Sequence, residues 1–104
     1  MILWIDDLRR PPNDANYLWV KSTIDAIHII YLSTRADGTH NIDYIDIDHD
    51  AGDYGWNGGD FIEVLNWMER HNINDIPVHI HSMNPVGIEK MRAIIQHNNW
   101  MEIL

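Results

Sequence analysis

Short apolar segments that end abruptly in polar residues restrict the fold of this chain more than any other feature. Residues 2–5 are consecutively apolar and are followed at once by Asp6 and Asp7. Two later apolar segments end in the same way, one at Asp48 and one at Ser82. An uninterrupted apolar run of this length is typical of a strand that is buried on both faces of a parallel sheet. The sequence therefore predicts a parallel sheet whose strands end in polar side chains at one edge.

Segments with the apolar spacing of helices separate these strands. We expect strands at residues 2–5, 17–20, 42–48, 78–81 and 100–104. Ser22 is a suitable cap for a helix after the second strand, and residues 61–70 have amphipathic spacing. Asn84 before Pro85 marks the start of the last helix. Strands that alternate with helices in this way predict parallel βαβ units, and thus an open α/β sheet with helices on both faces.

The length and the lack of cysteine limit the class of protein. We expect one compact domain that spans residues 1–104. Since no cysteine is present, disulfide scaffolds, cysteine-ligated zinc sites and thiol catalysis are excluded. No apolar stretch approaches the roughly 20 residues of a membrane span, and no basic leader precedes the first strand. We therefore expect a cytoplasmic protein, and a stand-alone domain this short suits a phage or bacterial genome.

The net charge of −9 limits the partners of the chain. General binding to nucleic acid needs several Lys or Arg on phosphates, so we expect neither that binding nor a membrane partner. A small phosphorylated substrate, a nucleotide or an RNA end would need a metal or a local basic patch. Exposed Trp19, Trp56 or Trp100 would offer a surface to a second copy of the chain or to a partner protein, although aromatic residues at such spacings are more often core.

Aspartates are concentrated where the predicted strands end. Asp6, Asp7, Asp48 and Asp50 supply the oxygen ligands that Mg²⁺ and Mn²⁺ prefer. Carboxylates that converge without a cation raise one another's pKa, whereas a divalent ion lets them stay ionised. We therefore predict that these residues hold Mg²⁺ or Mn²⁺. The alternative is a solvated acidic loop, in which Asp6 and Asp50 cap turns or helices.

Two histidines lie beside these aspartates. His49 stands between Asp48 and Asp50, and His81 ends the predicted fourth strand, so either one is a candidate general acid for a leaving alcohol. His79 lies two residues before His81 on the same strand face, and a hydrogen-bonded structural role is the simpler expectation for it. The other histidines are expected at the surface: His28, His40, His71 and His97.

Three further polar residues are candidates for binding a phosphate. Arg9 follows the first acid pair, in a chain with seven basic residues in total, and its guanidinium suits phosphate oxygens. Ser82 and Asn84 follow the fourth strand, where a hydroxyl or an amide binds an anion or caps the next helix. The alternative for Arg9 is an ordinary surface ion pair.

The order of these residues resembles the receiver domains of two-component signalling. In that comparison, Asp6 and Asp7 match the acid pair that holds Mg²⁺. Asp48 matches the aspartate that accepts the phosphoryl group, and Ser82 matches the serine or threonine that senses it. The chain departs from ordinary phosphorelay receivers, because residues 7–12 replace the first crossover helix and because no lysine and no helix follow the predicted fifth strand.

A closer resemblance is to receiver-like domains named for cyclic-phosphate processing. Their Asp-Asp-x-Arg-x-Pro, Asp-His-Asp and His-Ser-x-Asn-Pro-x-Gly segments are residues 6–11, 48–50 and 81–87 here, and Ala51 stands where a leucine is expected. The resemblance implies a flavodoxin-like α/β fold: an open five-stranded parallel sheet in three α/β/α layers, with the first crossover helix and the last helix missing or short. It also implies hydrolysis or transfer at a cyclic or terminal phosphate, in association with RNA-end repair.

Two functional hypotheses of different classes follow. The first is a metal-dependent phosphoesterase that processes a cyclic or terminal phosphate of a nucleotide or RNA, such as a 2′,3′-cyclic phosphate, with Asp48 and either His81 or His49 as catalytic residues. The alternative is a non-catalytic receiver-like module that senses phosphate or metal and contacts a partner protein. An inert scaffold with an acidic loop is the third hypothesis. Turnover of a phosphate ester separates the first hypothesis from the other two.

Overall fold

The strands form one parallel sheet. The computed structural model describes residues 1–12 and 16–104. Its strands are β1 (Ile2–Ile5), β2 (Tyr17–Val20), β3 (Tyr44–Ile47), β4 (Val78–Ile80) and β5 (Glu102–Ile103). They lie in the order β2-β1-β3-β4-β5, and all neighbouring strands are parallel. This is the strand order of flavodoxin-like folds, so the predicted receiver-like sheet is confirmed.

The helices connect these strands and begin at the predicted caps. They are α1 (Thr23–Leu32), α2 (Ile62–Arg70) and α3 (Pro85–His97), and a short 3₁₀ helix covers Gly52–Tyr54. The Ser22 hydroxyl accepts a hydrogen bond from the Asp25 N–H at 3.2 Å, and the Asn84 side chain accepts one from the Gly87 N–H at 3.1 Å. Pro85 takes the first position of α3, where a missing N–H costs nothing. Along residues 1–12 and 16–104, no helix has the length and apolar character that crossing a membrane requires.

The three α-helices found in residues 1–12 and 16–104 lie on one face of the sheet. α1 packs against α2, and α2 packs against α3. The connections from β2 to β3, from β3 to β4 and from β4 to β5 run in one direction, so right-handed crossovers place their helices on the same side. The apolar core lies between this helix layer and the sheet. Its strand members include Leu3, Ile5, Ile45, Ile47 and Val78, and its helix members include Ile30, Leu65, Met68, Met91 and Ile95.

The opposite face of the sheet carries aromatic and polar side chains. Trp4 on β1 is in register with Asp46 on β3, and Asp46 is in register with His79 on β4. Because side chains alternate along a strand, these residues point away from the helix layer. The loop of residues 6–12 covers Trp4, whose indole N–H donates to the Arg9 carbonyl at 2.7 Å. In the described part of the chain no helix covers this face. The reduced first crossover was expected, but the helices predicted on both faces of the sheet were not found: a loop that contains Pro11 and Pro12 follows β1, so the described residues form two layers and not three.

Three strands are shorter than predicted, and β4 ends at Ile80 instead of residue 81. The strand expected over residues 42–48 begins at Tyr44, and the one expected over residues 100–104 is limited to Glu102–Ile103. The Trp100 N–H donates to the Ile95 carbonyl at 3.0 Å and therefore still belongs to the end of α3. Among the tryptophans considered for a contact surface, Trp100 is buried, Trp19 is half-buried and Trp56 is 80% exposed.

One histidine expected at the surface is buried instead. His40 keeps 7% of its surface exposed, and its Nδ1 atom lies 2.9 Å from Oδ1 of Asp75. The second oxygen of Asp75 accepts the His40 backbone N–H at 2.7 Å. The surface expectation for His40 was wrong because its carboxylate partner is distant in sequence. His28, His71 and His97 are exposed, as predicted.

Candidate metal and phosphate site

The polar residues that follow β1, β3 and β4 meet at one edge of the sheet. These strands are neighbours, and their carboxyl ends lead into Asp6 and Asp7, Asp48, and His81. One carboxylate oxygen from each of Asp6, Asp7 and Asp48 lies within 4.8 Å of the others. We call these residues the three-carboxylate cluster. The structure thus brings together three of the residues predicted to bind a metal.

Asp6 is the most buried member of the cluster. It keeps 2% of its surface exposed, and its Oδ1 atom accepts the backbone N–H groups of Leu8 and Arg9 at 2.9 and 2.7 Å. Its Oδ2 atom lies 2.9 Å from Nε2 of His81. Asp6 therefore organises the turn after β1, which was the alternative considered for it, and also belongs to the cluster.

Asp7 lies in a space that Gly52 leaves open. A Cβ atom at residue 52 would overlap the Asp7 carboxylate, and Gly52 has a φ of +53°. Both the available space and the backbone conformation therefore favour glycine at this position. Burial raises the pKa of the Asp7 carboxyl above its usual range, and the negative charges of Asp6, Asp48 and Asp53 raise this pKa further, while a backbone hydrogen bond opposes them. The folded protein therefore favours ionised Asp7 less than the unfolded chain does, and a bound cation would offset this difference.

Asp50 does not join the three-carboxylate cluster. Its Oδ1 atom lies 2.8 Å from Nδ1 of His49, and its side chain is exposed. Asp50 groups with His49 and Asp60, whose carboxylate accepts the Ala51 N–H at 3.0 Å. Asp50 was predicted to bind the metal together with Asp6, Asp7 and Asp48, but in the structure its carboxylate contacts His49 instead.

His49 is packed between β3 and the start of α3. Its backbone N–H donates to the Asp48 carboxylate at 2.8 Å, and its ring lies so close to Gly87 that a Cβ at residue 87 would stand 2.5 Å from the ring. Nδ1 of the His49 ring is hydrogen-bonded to the Asp50 carboxylate, whereas Nε2 of this ring makes no hydrogen bond to the residues that the structure describes. The His49 ring is thus held firmly and has one nitrogen left for a proton transfer.

His81 has both ring nitrogens occupied by carboxylates. Nδ1 lies 2.6 Å from Oδ1 of Asp46, Nε2 lies 2.9 Å from Oδ2 of Asp6, and 8% of the side chain is exposed. The ring also stacks on the Trp4 indole, with centroids 4.0 Å apart and planes inclined by 5°. Burial by itself lowers the pKa of His81, but the hydrogen bonds to Asp46 and Asp6, with their charges, outweigh it and raise this pKa above its usual value.

Sequence reasoning missed Asp46 as part of this arrangement. Asp46 keeps 5% of its surface exposed, and the same Oδ1 atom faces Nδ1 of His81 and Nδ1 of His79, the latter at 2.8 Å. The available signal was alternation, because Asp46 lies between two apolar residues of a strand and must point to the other sheet face. The hydrogen-bonded role expected for His79 agrees with this contact.

Two of the predicted phosphate-binding residues, Ser82 and Asn84, lie in the loop after β4, and the third, Arg9, lies beside this loop. The Ser82 hydroxyl accepts the Asn84 N–H at 3.1 Å, and the Asn84 side chain caps α3. Arg9 reaches across from the turn after β1, and its guanidinium donates to the His81 carbonyl at 3.4 Å. Ser82 and Asn84 thus shape the loop, while Arg9 lies at the rim of the site, where a weak contact leaves its charge accessible.

Comparison with known proteins places the chain in a family. Neither the curated proteins nor the solved structures include one that matches it. The family model of the cyclic-phosphate processing receiver domain matches residues 1–97, which include every side chain of the site described above. The chain therefore belongs to the cyclic-phosphate processing receiver domain family.

Proposed function

We propose that the protein is a metal-dependent phosphoesterase that acts on a cyclic or terminal nucleotide phosphate, such as a 2′,3′-cyclic phosphate. The observation that carries the proposal is the convergence of Asp6, Asp7 and Asp48 in a member of this family. Phosphate esters are anions, so a cluster of carboxylates repels them unless a cation lies between the two. A metal therefore connects the acidic site to its substrate.

The residues present fit Mg²⁺ or Mn²⁺. All donors of the cluster are carboxylate oxygens, which these hard cations prefer. The raised pKa of Asp7 adds support, because a divalent ion would relieve the repulsion that Asp7 experiences from Asp6 and Asp48. When bound, the ion would polarise a phosphoryl oxygen and lower the pKa of a coordinated water.

Of the two candidate general acids, the geometry favours His49. Asp50 accepts a hydrogen bond from Nδ1 and orients the ring, so in the doubly protonated form of His49 the Nε2 proton is the one that would pass to the leaving oxygen, which leaves neutral His49 behind. His81 would have to break a hydrogen bond to Asp6 or Asp46 before it offered a nitrogen to a substrate. Of these two candidates, His49 is the one with a ring nitrogen that makes no hydrogen bond to the described residues.

Arg9 and Ser82 would bind the phosphate oxygens. Arg9 gives up little by leaving the His81 carbonyl, since a 3.4 Å contact is weak, and its guanidinium gains a charge-assisted hydrogen bond to phosphate. The Ser82 hydroxyl accepts the Asn84 N–H, so its own proton is free to be donated to a phosphate oxygen. Both groups act beside the metal at the same sheet edge.

A non-catalytic sensing module is the second candidate, and one observation favours it. Met83 lies between Ser82 and Asn84, Val86 lies in the first turn of α3, and the two residues are 83% and 61% exposed. A phosphate or metal at the site would therefore lie next to an apolar surface that a partner protein is able to contact. In this case metal would change the stability of the protein, and no phosphate ester would be turned over.

The test is turnover of defined phosphate esters. The purified protein is incubated with 2′,3′-cyclic nucleotides and with a short RNA that ends in a 2′,3′-cyclic phosphate, in Mg²⁺, Mn²⁺ or EDTA, and products are identified by mass spectrometry. We expect the gain of one water in metal only, and a loss of at least about 100-fold in Asp48→Asn, because even groups that only support a metal ligand contribute 10- to 100-fold.

One control variant and two possible negative results complete that experiment. Asp43→Asn removes the same charge near the other end of β3, where Asp43 pairs with the N-terminal amine, and should keep full activity. If no product forms under any condition but metal stabilises the wild type, the phosphoesterase hypothesis is wrong and the sensing-module hypothesis takes its place. Absence of both effects would leave only the inert scaffold.

A further inference from the structure

A row of hydrogen-bonded side chains extends behind the acidic site, and the function proposed above gives a role only to its last member, Asp6. On the sheet face opposite the helices, Oδ1 of Asp46 contacts the Nδ1 atoms of both His79 and His81, at 2.8 and 2.6 Å. The other ring nitrogen of His81 lies 2.9 Å from Oδ2 of Asp6. The histidine–aspartate row, defined as His79, Asp46, His81 and Asp6, therefore ends on a member of the three-carboxylate cluster.

We infer that Asp46 is a positioning residue of the metal site: it holds the His81 ring in place, and this ring fixes the Asp6 carboxylate. The inference rests on the proposed function in one respect, which is that Asp6 is taken to be a metal ligand. It assigns roles to two residues, Asp46 as the anchor and His81 as the link, and it removes His81 from the candidate catalytic acids.

The His81 ring is held from three sides. Asp46 and Asp6 bind its two nitrogens, and the Trp4 indole stacks on the ring, with centroids 4.0 Å apart. The Trp4 indole is itself fixed, because its N–H donates to the Arg9 carbonyl and the Tyr17 ring packs edge-on against it. A ring with so many contacts suits a fixed support better than a group that moves protons to a substrate.

Asp46 is costly to bury unless it has partners. It keeps 5% of its surface exposed in the middle of a strand whose neighbours Ile45 and Ile47 are fully buried. Removing a carboxylate from water is strongly unfavourable without compensating hydrogen bonds. An apolar side chain would fill this sheet position without that cost, so the contact of Asp46 with His81 accounts for a carboxylate here.

The histidine–aspartate row, together with two backbone N–H groups, holds the Asp6 carboxylate in one orientation. Its Oδ1 atom accepts two backbone N–H groups, from Leu8 and Arg9, and its Oδ2 atom faces His81. Without the His81 contact, the two backbone N–H groups would still hold Oδ1, but no side chain would hold Oδ2 in its alignment toward Asp7 and Asp48. Outer partners that orient a metal ligand in this way typically contribute 10- to 100-fold to metal affinity or activity.

The experiment compares Asp46→Asn with Asp43→Asn in Mn²⁺ titrations followed by electron paramagnetic resonance and by calorimetry. Both substitutions remove one negative charge near β3, but only the first touches the row. We expect the Kd for Mn²⁺ to rise by roughly 10- to 100-fold in Asp46→Asn and by less than about twofold in Asp43→Asn. In saturating Mn²⁺, kcat of Asp46→Asn should stay within about threefold of the wild type, since no proton passes through the row. Equal Mn²⁺ affinities in the two variants, or a kcat of Asp46→Asn that falls with an altered pH profile while Kd is unchanged, would overturn the inference.

A metal-free measurement separates this inference from the proposed function. In nuclear magnetic resonance spectra of protein in EDTA, the ring N–H signals of His81 should be protected from exchange, and the Asp6 carboxyl signal should shift in Asp46→Asn but not in Asp43→Asn. These outcomes do not depend on metal binding or on turnover. If they are observed while the wild type binds no Mn²⁺, the proposed function fails and the positioning of Asp6 stands.

His79→Ala provides a milder variant if Asp46→Asn does not fold. The His79 side chain is 32% exposed, and its loss removes one of the two hydrogen bonds that Asp46 Oδ1 accepts from the row. We expect a smaller shift of the Asp6 carboxyl signal in the same direction and a Kd for Mn²⁺ raised by about two- to fivefold, below the range for a direct partner. An unchanged Asp6 signal together with an exchange-labile His81 ring in the wild type would overturn the inference without any buried substitution.

Discussion

The two faces of the same sheet are equally buried at their centre but differ in chemistry. Toward the helices, Leu3 and Ile45 are fully buried among apolar side chains. On the other face, Trp4 and Asp46 keep only 3% and 5% of their surface exposed, yet Asp46 forms hydrogen bonds to two histidines. Burial alone therefore does not show what a sheet position contributes. We interpret the helix face as the source of stability and the opposite face as the support of the acidic site.

The largest expected effect is a loss of stability caused by a core substitution between the helices and the sheet, away from the acidic site. Leu65 on α2 is fully buried in the core. Leu65→Ala should lower the free energy of unfolding by about 2–5 kcal/mol, because it removes apolar contacts and leaves a cavity. Urea denaturation in EDTA measures this change, with exposed Leu8→Ala as the control. Mn²⁺ affinity of the folded Leu65→Ala protein should equal that of the wild type, and a loss as large as that of Asp46→Asn would show that the two faces are not independent.

The second effect separates backbone strain from damage to the site. Gly52 and Gly38 both have positive φ angles, +53° and +89°, but a Cβ at Gly52 meets the Asp7 carboxylate whereas one at Gly38 meets nothing within 4 Å. Alanine should cost each protein about 1–3 kcal/mol of stability because of the backbone conformation. Only Gly52→Ala should also weaken Mn²⁺ binding, by about tenfold or more, because it displaces Asp7.

The measurement for this pair is urea denaturation in EDTA beside a Mn²⁺ titration. Matched losses of stability with a loss of Mn²⁺ binding in Gly52→Ala alone would locate the metal next to Asp7. Equal Mn²⁺ affinity in both alanine variants would contradict a metal role for Asp7, even if both proteins unfold more easily.

The helix face was the more predictable of the two. Apolar runs, the cap at Ser22 and the Asn84-Pro85 start are local signals, so the order of strands and helices followed from the chain itself. The meeting of Asp6, Asp7 and Asp48 also followed, because the carboxyl ends of neighbouring parallel strands share an edge.

The rest of the site depends on register and loop geometry, which the sequence does not display. Asp46 is one of many acidic residues in its segment, and only its register with His79 shows that it faces the histidines. Asp50 is two residues from Asp48, but the chain turns after β3 and carries its carboxylate to the His49 ring instead. Aspartates this close in sequence therefore point in different directions.

The smallest expected effect concerns Asp7 and depends on pH. Its pKa in the folded protein is raised above the usual 3.8, first by burial and then by neighbouring carboxylates. The folded state therefore binds this proton more tightly than the unfolded state, so ionised Asp7 lowers stability at neutral pH, and this penalty disappears as pH falls through the folded pKa toward 3.8. Metal-free Asp7→Asn should be more stable than the wild type at pH 7 by less than about 1 kcal/mol, because the carboxylate is partly solvated.

Asp37→Asn is the control of opposite sign. Hydrogen bonds from the side chain and backbone of Thr39 lower the pKa of Asp37, so its ionised form stabilises the folded state at neutral pH, and the substitution should lower stability there. Urea denaturation in EDTA between pH 4 and pH 7 measures both variants. Added Mn²⁺ should stabilise the wild type and Asp37→Asn but not Asp7→Asn, because only Asp7 belongs to the three-carboxylate cluster. Greater stability of metal-free wild type over Asp7→Asn at pH 7 would show that the three-carboxylate cluster holds its charges without the repulsion that supports the proposed cation.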